Sequence, residues 1–378
     1  MRGHIAKKGA KYYVVVDVEP DPETGKRRQK WHSGFRTKKE AERGLATILG
    51  RLEQGSYIEP TRATVAEYLR EWLAGVRVDP GTLADYRMHV EKRLIPEFGN
   101  RRVQSLTPLA IDVLLRKLER EGGRRKQGLS PRSVRLVYMV GHKAFADGVR
   151  KGILASNPFD KVDPPQQKTT KMPTWSAEEL RLFLAAAADD HLYAAWLLSS
   201  TTGMRRGELL GVSWTELDLD ASRLSVTQEW ILEDGTPTLK PFTKTDAGRR
   251  MLSLDSRTAS ALASHRVRQG KERLALGRTW RNSLEFVFTE RDGSPIHPDT
   301  FSERFGQLAK LAGLPPIRLH DLRHTYATLS LKAGIPAKVV SARLGHASTA
   351  ITTDIYQHVT PQMQEDAAAT VAKLIWGG

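Results

Sequence analysis

The stretch LHDLRHTYATLSLKAGIPAKVVSARLGHASTAITTDIYQHV, residues 319–359, carries the most specific pattern in this sequence. Its first part predicts a helix on which His320 and Arg323, one turn apart, project from the same face. The same stretch supplies His346 and, ten residues later, Tyr356. Two histidines, an arginine and a tyrosine in this arrangement indicate one polar site whose other members lie elsewhere in the chain.

Two motifs upstream supply the remaining members of this site. TTGMRRGELLGVSW, 201–214, places Arg205 just before a predicted helix, and PFTKTDAGRRMLSLD, 241–255, places Lys244 between two predicted strands. Each residue alone has a plainer interpretation: in a chain with 59 Lys and Arg a lone arginine is usually a surface contact, and a lone tyrosine is often a core aromatic. Four motifs in this order are more specific than any one of these residues alone.

In that order the motifs resemble the tyrosine recombinase, or phage integrase, family, over the chain from about residue 64 to its end. The residues that match the family's catalytic pattern are, in chain order, Arg205, Lys244, His320, Arg323, His346 and Tyr356. The resemblance implies a DNA strand transferase in which Tyr356 attacks a phosphodiester and forms a 3′-phosphotyrosyl intermediate. Because that intermediate preserves the energy of the phosphodiester, no ATP, metal or other cofactor is expected.

The residue types suit these roles. The transition state spreads negative charge over the non-bridging oxygens, so we expect Arg205 and Arg323 to clamp the phosphate with forked, permanently charged donors. We assign phosphate binding to His346 and proton transfer at the nucleophile to His320, because histidine exchanges protons near neutral pH. Lys244, with a pKa lowered by neighbouring cations, is the predicted general acid for the leaving 5′-hydroxyl.

Two neighbouring residues have supporting rather than reacting roles in this interpretation. Glu208 is expected to orient Arg205, and His324 to pack or hydrogen-bond behind the site. The spacing of His320 and His324 would suit a zinc pair, but the motif lacks the glutamate of HExxH and the chain has no cysteine. We therefore predict no metal site.

Composition limits the classes of function. A chain of 378 residues with 40% hydrophobic content predicts two or three domains with buried cores. Its net charge of +16 indicates a polyanionic partner, for which DNA and an anionic membrane surface are both candidates. The sequence has no apolar run of eighteen residues, no signal-peptide pattern and no cysteine for disulfides. These features fit a cytoplasmic protein.

Residues 1–56 predict a module of a small β-sheet and a helix. KYYVVVDVEP reads as a strand, DPETGK as a turn and RRQKWHSGF as one or two further strands, while Thr37 and Glu40 form a capping box for the helix. The module has 13 Lys and Arg against 7 Asp and Glu, which favours DNA contact. It resembles the arm-type DNA-binding domain of integrases; a protein-interaction module is the alternative.

Residues 57–163 predict an all-α domain of four helices, which resembles the SAM-like core-binding domain of the family. Its helices begin at Thr64, Thr82, Thr107 and Ser130, each a good N-terminal residue. Its basic residues are candidate phosphate contacts, and a solvated charged face is an equal alternative for each. They are Arg87, Lys92, Arg93, Arg101, Arg102, Arg124, Arg125 and Lys126. A polar, proline-bearing linker, residues 164–173, follows.

Residues 174–378 predict the tyrosine recombinase catalytic domain, mainly α with a small antiparallel sheet. Ser176 caps its first helix, HLYAAWLLSSTTG is a central buried helix that delivers Arg205, and Lys244 lies on an edge turn of the sheet. Thr360 begins a tail helix too short to be stable alone, which must pack on its own domain or cross to a neighbouring protomer. The whole chain is thus a multidomain α+β protein.

The sequence predicts a site-specific recombinase, an integrase that integrates and excises a phage or integrative mobile element. A resolvase-like recombinase, a topoisomerase-like DNA relaxer and a non-catalytic DNA-binding protein are the alternatives. The expected partners are double-stranded attachment sites of core and arm type, further copies of the chain in a homotetramer, an excisionase-like directionality factor and a host DNA-bending protein. No membrane partner is expected, and the expected location is the nucleoid in the cytoplasm of a bacterial host.

Overall fold

The computed structural model describes residues 3–18, 20, 24–54, 57–123, 127–166, 172–233, 235–242, 248–345, 369, 371–373 and 375–376. The chain divides into two compact units, residues 1–169 and 170–378. The finer division at residues 56, 163 and 173 stays a prediction. Among the described residues, every helix is too short or too polar to cross a membrane.

The first unit begins with a three-stranded antiparallel sheet. Its strands, in spatial order, are β1 (Gly3–Lys8), β2 (Lys11–Val18) and β3 (Arg28–Phe35). RRQKWHSGF forms the single strand β3, and the remaining strand is β1, which the sequence interpretation missed. The segment GHIAKK has little β-propensity of its own, and its pairing with β2, from Gly3↔Val16 to Lys8↔Lys11, makes it a strand.

One face of this sheet packs on α1 (Lys38–Glu53). As predicted, Thr37 and Glu40 form a capping box at its start. Side chains of β3 also bind residues of the segment that follows α1. Arg28 and Lys30 form salt bridges with Glu59, and His32 hydrogen-bonds the Tyr57 hydroxyl at 3.0 Å.

Helices make up the rest of the first unit. They are α2 (Val65–Gly75), α3 (Pro80–His89), α4 (Ile95–Phe98), α5 (Pro108–Glu121) and α6 (Pro131–Arg150). Thr64, Thr107 and Ser130 cap α2, α5 and α6 as predicted. Within their common core the indole N–H of Trp72 donates to Asp147 at 2.9 Å, which satisfies a polar group inside an apolar cluster.

The predicted start of α3 is wrong by two residues. The N-cap is Asp79, whose carboxylate accepts from the Thr82 backbone N–H at 2.9 Å, so the helix begins at Pro80. One turn of π-helix, Val90–Leu94, then separates α3 from α4. This wider turn precedes Pro96, which has no amide hydrogen for the usual helical bond.

The second unit is mainly helical. Its helices are α7 (Ala177–Ala186), α8 (Tyr193–Thr202), α9 (Arg206–Leu210), α10 (Ser256–Leu276), α11 (Pro298–Leu311), α12 (Leu319–Lys332) and α13 (Ala337–Leu344). Ser176 caps α7 and α8 is buried, both as predicted. At the centre of the core Trp196 of α8 stacks on Phe301 of α11, with ring centroids 4.2 Å apart.

The described strands of this unit form two small antiparallel sheets, where the sequence predicted one. The first contains β4 (Leu217–Asp218), β5 (Arg223–Val226) and β8 (Arg250–Ser253), and the second β6 (Gln228–Glu233) and β7 (Thr236–Pro241). The chain changes sheets at Thr227, whose carbonyl accepts from the Phe242 N–H at 2.7 Å. RLSVTQEW therefore contributes to both sheets.

The predicted tail helix is described only in part. Its predicted start, Thr360 and Pro361, lies outside the described residues. Residues 369, 371–373 and 375–376 are helical. Val371 is 53% and Ile375 63% exposed, so more than half of the surface of each of these apolar residues of the predicted face is open to solvent.

Candidate active site

Arg205 is positioned by the end of the buried helix α8. Gly203 closes that helix with a φ of 65°, in the left-handed region that favours glycine. A Cβ at this position would lie 2.7 Å from Leu344 Cδ2 and 2.7 Å from Tyr326 Cδ1, so the packing also requires glycine. Arg205 follows in extended conformation as the N-cap of α9.

Glu208, one turn into α9, is fully buried and holds two arginines. Its Oε1 accepts from Nη1 of Arg205 at 2.7 Å and from Nη1 of Arg250 at 3.0 Å. Its Oε2 accepts from the backbone N–H of Arg205 at 2.9 Å and from Nη2 of Arg250 at 2.8 Å. Burial alone would raise the pKa of Glu208, but the hydrogen bonds and charges of Arg250 and Arg205 outweigh it and hold the pKa below 4.5.

Arg323 lies on α12 and is buried, with 4% of its surface exposed. Its Nη1 donates to the Gly203 carbonyl at 2.9 Å and its Nη2 to the Leu344 carbonyl at 2.7 Å. These bonds join the end of α8 to the end of α13. Arg323 and Arg205 are thereby fixed on either side of the same glycine turn.

The C-terminus of α13 is the common support of the arginine cluster. Three successive carbonyl oxygens accept from three arginines: Arg343 O from Arg250 Nε at 2.5 Å, Leu344 O from Arg323 Nη2 at 2.7 Å, and Gly345 O from Arg205 Nη2 at 3.1 Å. The last carbonyls of a helix have no intrahelical partner and carry the negative end of its dipole, so cations are favoured there. The next residue in the chain is His346.

His320 lies one turn before Arg323, on the exposed side of α12. Partial loss of water around its ring, together with the nearby charges of Arg323, Arg318 and Arg205, lowers the pKa of His320 below 6.5, and Asp321 opposes this only in part. The imidazole is therefore neutral at pH 7 and has a lone pair that can accept a proton.

His324 is buried on the same helix, and its ring packs edge-on against the ring of His320, with centroids 5.1 Å apart. Burial and the proximity of His320 lower the pKa of His324 to about 4. This position agrees with the expectation that His324 packs behind the site. Within the described ranges, no group of three or more His, Asp or Glu side chains is arranged to hold a metal ion.

The structure therefore brings together three of the six predicted site residues, namely Arg205, His320 and Arg323. The other three, Lys244, His346 and Tyr356, lie outside the described residues. Phe242 and Gly248 are the described residues that flank the Lys244 segment, and Gly345 is the described residue that precedes His346. The catalytic roles of all six residues stay predictions.

The sequence interpretation missed Arg250, the first residue of β8. Its side chain is only 8% exposed, although it carries a charge. Strand alternation contained a signal for this position, because Arg250 shares a face with Leu252, which is fully buried, while Met251 between them is 63% exposed. An arginine on the buried face of a strand needs an acidic partner, which here is Glu208.

Comparisons with known proteins agree with this geometry. The model of the phage integrase family matches residues 175–363, that of an arm DNA-binding domain residues 4–52, and that of the phage integrase N-terminal SAM-like domain residues 64–118. A tyrosine recombinase XerC-like protein of Caldanaerobacter subterraneus is 30% identical over 98% of both chains. The ICEBs1 integrase of Bacillus subtilis is 26% identical over 96% of this chain and 97% of its own.

Solved structures show the same fold. The Tn1549 transposon integrase in complex with a circular intermediate DNA superposes with a TM-score of 0.70 at 18% identity, over 82% of this chain and 100% of that chain. A lambda integrase dimer bound to a core site superposes with a TM-score of 0.56 at 19% identity, over 93% and 94% of the two chains.

The chain belongs to the phage integrase family of tyrosine recombinases. The expectations of a multidomain α+β fold and of a DNA strand transferase that acts as a site-specific recombinase of the integrase class are confirmed.

Proposed function

We propose that this protein integrates and excises a phage or integrative mobile element, with Tyr356 as the nucleophile. The observation that carries the proposal is the pair of arginines, Arg205 and Arg323, fixed on adjacent carbonyls immediately before His346. The similarity to the ICEBs1 integrase of Bacillus subtilis and the match to an arm DNA-binding domain favour an integrase over a resolvase-like enzyme.

In the proposed strand cleavage the two arginines hold the phosphate that Tyr356 attacks. The scissile phosphate binds beside Arg205 and Arg323, whose guanidinium groups neutralise the charge that develops on its non-bridging oxygens, and His346 adds a further donor. Tyr356 attacks the phosphorus and displaces the 5′-oxygen, which leaves a 3′-phosphotyrosyl enzyme and a free 5′-hydroxyl. A 5′-hydroxyl of another strand then reverses the step and joins new partners, without ATP or metal.

Two protons move during cleavage. Neutral His320 accepts the proton of the Tyr356 hydroxyl, a role that its lowered pKa supports because the imidazole is unprotonated at pH 7. Lys244 donates a proton to the leaving 5′-oxygen. In the reverse step the same two groups exchange roles, so one site serves both cleavage and joining.

Two classes of DNA site fit the organisation of the chain. The helical residues 57–163 and the catalytic residues 174–378 hold the core site, and the basic module of residues 1–56 holds an arm site. The net charge of +16 supports contact with the DNA backbone, for which binding is salt-dependent. An excisionase-like directionality factor and a host DNA-bending protein are the accessory partners we propose, and the place of action is the nucleoid in the bacterial cytoplasm.

Assembly as a homotetramer on two duplexes is the proposed active state. The exposed apolar residues Val371 and Ile375 support a tail that packs on a neighbouring protomer rather than on its own unit. Removing the residues after Met363 should weaken tetramer assembly on attachment-site DNA in native gels while single-site binding survives. Unchanged tetramer yield with normal recombination would show that the tail acts within its own chain.

A plasmid assay tests the function itself. Segments of the DNA that flanks the gene are placed on two plasmids, and the products are analysed after incubation with the protein. An integrase yields joined plasmids with defined junctions, whereas a topoisomerase-like relaxer removes supercoils from a plasmid without any such segment. A protein that binds DNA without catalysis gives neither product, with or without Tyr356.

A further inference from the structure

We propose that Arg250 is a positioning residue for strand cleavage, which holds together the three chain segments that carry Arg205, Lys244 and His346. This inference rests on the proposed function of those residues. All three guanidinium nitrogens of Arg250 donate to protein acceptors, at Glu208, Gly248 and Arg343. Arg250 therefore acts through its neighbours.

The bonds of the Arg250 guanidinium end on three different parts of the site. Nη1 and Nη2 bind the two oxygens of Glu208, at 3.0 and 2.8 Å, and Glu208 in turn holds Arg205. Nη1 also donates to the Gly248 carbonyl at 2.8 Å, next to the segment that contains Lys244. Nε donates to the Arg343 carbonyl at 2.5 Å, three residues before His346.

Charge balance makes Arg250 important for Arg205 in particular. The buried carboxylate of Glu208 is shared between the two arginines, so Arg250 satisfies part of its demand for positive charge. Without Arg250, the whole field of Glu208 falls on Arg205, whose guanidinium is then drawn toward the carboxylate and away from the phosphate. The Arg343 carbonyl loses its donor at the same time.

To hold the three segments, residue 250 needs the geometry of a guanidinium group as well as its charge. The donors of Arg250 lie on three nitrogens that diverge in one plane, and the acceptors at Glu208, Gly248 and Arg343 match this fork. A lysine at this position would bring one nitrogen and cannot reach all three acceptors at once. Arg250→Lys therefore separates the contribution of the charge from that of the fork.

The test compares Arg250→Gln with Arg249→Gln in the full chain. Arg249 is exposed and directly precedes the strand, so this control removes the same charge at the neighbouring position. The probe is a set of nicked duplexes tiled across the DNA that flanks the gene, on which covalent adduct formation is timed at saturating DNA. We expect Arg250→Gln to slow adduct formation by about 10- to 100-fold and to change the DNA Kd by less than about threefold.

Two further variants make the result specific. Arg250→Lys should keep the fold and recover only part of the rate. Glu208→Gln combined with Arg250→Gln should cost little more than the worse single change, because both residues act through one network. An unchanged rate in Arg250→Gln and Arg250→Lys, an equal loss in Arg249→Gln, or losses that multiply in the double variant would each overturn the proposal.

Hydrogen exchange provides a readout that does not depend on the reaction. In Arg250→Gln the amides of residues 204–211 and 341–345 should exchange faster than in wild type, and in Arg249→Gln they should not. Unchanged exchange would overturn the proposal even if the enzyme is active. A wild-type protein that forms no adduct, with faster exchange in Arg250→Gln, would instead refute the proposed function and leave Arg250 as the holder of these segments.

Discussion

Nη2 of Arg205 donates to the carbonyl oxygen of Gly345 at 3.1 Å, across 140 positions of the sequence. The bond links the turn after α8 to the residue that precedes His346. Because Nη1 of the same guanidinium binds Glu208 at 2.7 Å, both ends of the Arg205 fork are fixed before DNA arrives. A preorganised phosphate clamp loses little free energy to reorganisation in the transition state.

Arg205→Lys should reduce adduct formation by about 10²-fold or more while DNA affinity stays within about threefold. Lysine keeps the charge, but its single nitrogen cannot bridge Glu208 and Gly345. The measurement is single-turnover cleavage at saturating DNA. Arg206→Lys is the matched control, since the adjacent Arg206 is equally exposed but binds Asp299 and Ser302 of α11. Equal losses in both variants would contradict a special role for Arg205.

Gly203→Ala should lower the free energy of unfolding by about 2 kcal/mol or more and slow adduct formation, because the new Cβ meets Leu344 and Tyr326. Gly334→Ala separates strain from crowding. Gly334 has a φ of +77° but no atom within 4 Å of an added Cβ, so that variant loses only the backbone term of about 1 kcal/mol. Urea denaturation of both variants measures the loss in free energy of unfolding. Equal losses would show that crowding at Gly203 does not add to the cost of the substitution.

His265 should make the protein less stable as pH falls. Its Nδ1 accepts from Arg268 at 2.6 Å and its Nε2 donates to the Val287 carbonyl at 2.7 Å, which requires a neutral ring because arginine has only donors. Burial lowers the pKa of His265 to about 4, against 6.5 for an exposed histidine.

The direction of this pH dependence follows from the difference between the folded and unfolded pKa values of His265. The unfolded chain binds a proton at His265 near pH 6.5 and the folded chain does not, so the contribution to stability is complete above pH 6.5 and falls as pH drops toward 4. Between pH 7 and pH 5 the loss is about 2 kcal/mol. Urea denaturation of His265→Gln should show a shallower pH dependence by this amount, and His4→Gln, on an exposed histidine, should not. Parallel curves for His265→Gln and wild type would refute the assignment.

A fragment that begins at Thr64 should still cleave core sites but lose a second class of DNA site. The truncation removes the basic sheet and helix together with Tyr57 and Glu59, the residues that bind β3, while Thr64 keeps its capping box with Glu67. Footprinting of the fragment and the full chain on the DNA that flanks the gene is the measurement. Identical footprints would make residues 1–56 a protein-interaction module.

The sequence could predict those parts of the fold that depend on contacts between residues close together in the chain. The caps at Thr37, Thr64 and Ser176 involve residues three positions apart, so the sequence contains all the information they need. β1 was missed because GHIAKK becomes a strand only through its pairing with β2. The start of α3 was misplaced because Asp79 and Thr82 are both acceptable caps and Pro80 decides between them.

The residues of the candidate site also differ in whether the sequence alone could predict them. Arg205, His320 and Arg323 were found because their motifs are short and ordered. Arg250 was missed because its role depends on Glu208 and Arg343, which lie 42 and 93 positions away, meeting at one point in the fold. The change of sheet at Thr227 is also a tertiary property, since it depends on the bond with Phe242.

The central claim is that Tyr356 is the nucleophile of a recombinase. The most direct measurement is peptide mass spectrometry of the covalent adduct that the protein forms on a nicked duplex from the DNA that flanks its gene. We expect a 3′-phosphotyrosyl group on Tyr356 in the wild type, and no adduct for Tyr356→Phe despite an unchanged DNA Kd, because the loss of one hydroxyl leaves the arginine clamp intact. An adduct on another residue, or one that persists in Tyr356→Phe, would contradict it.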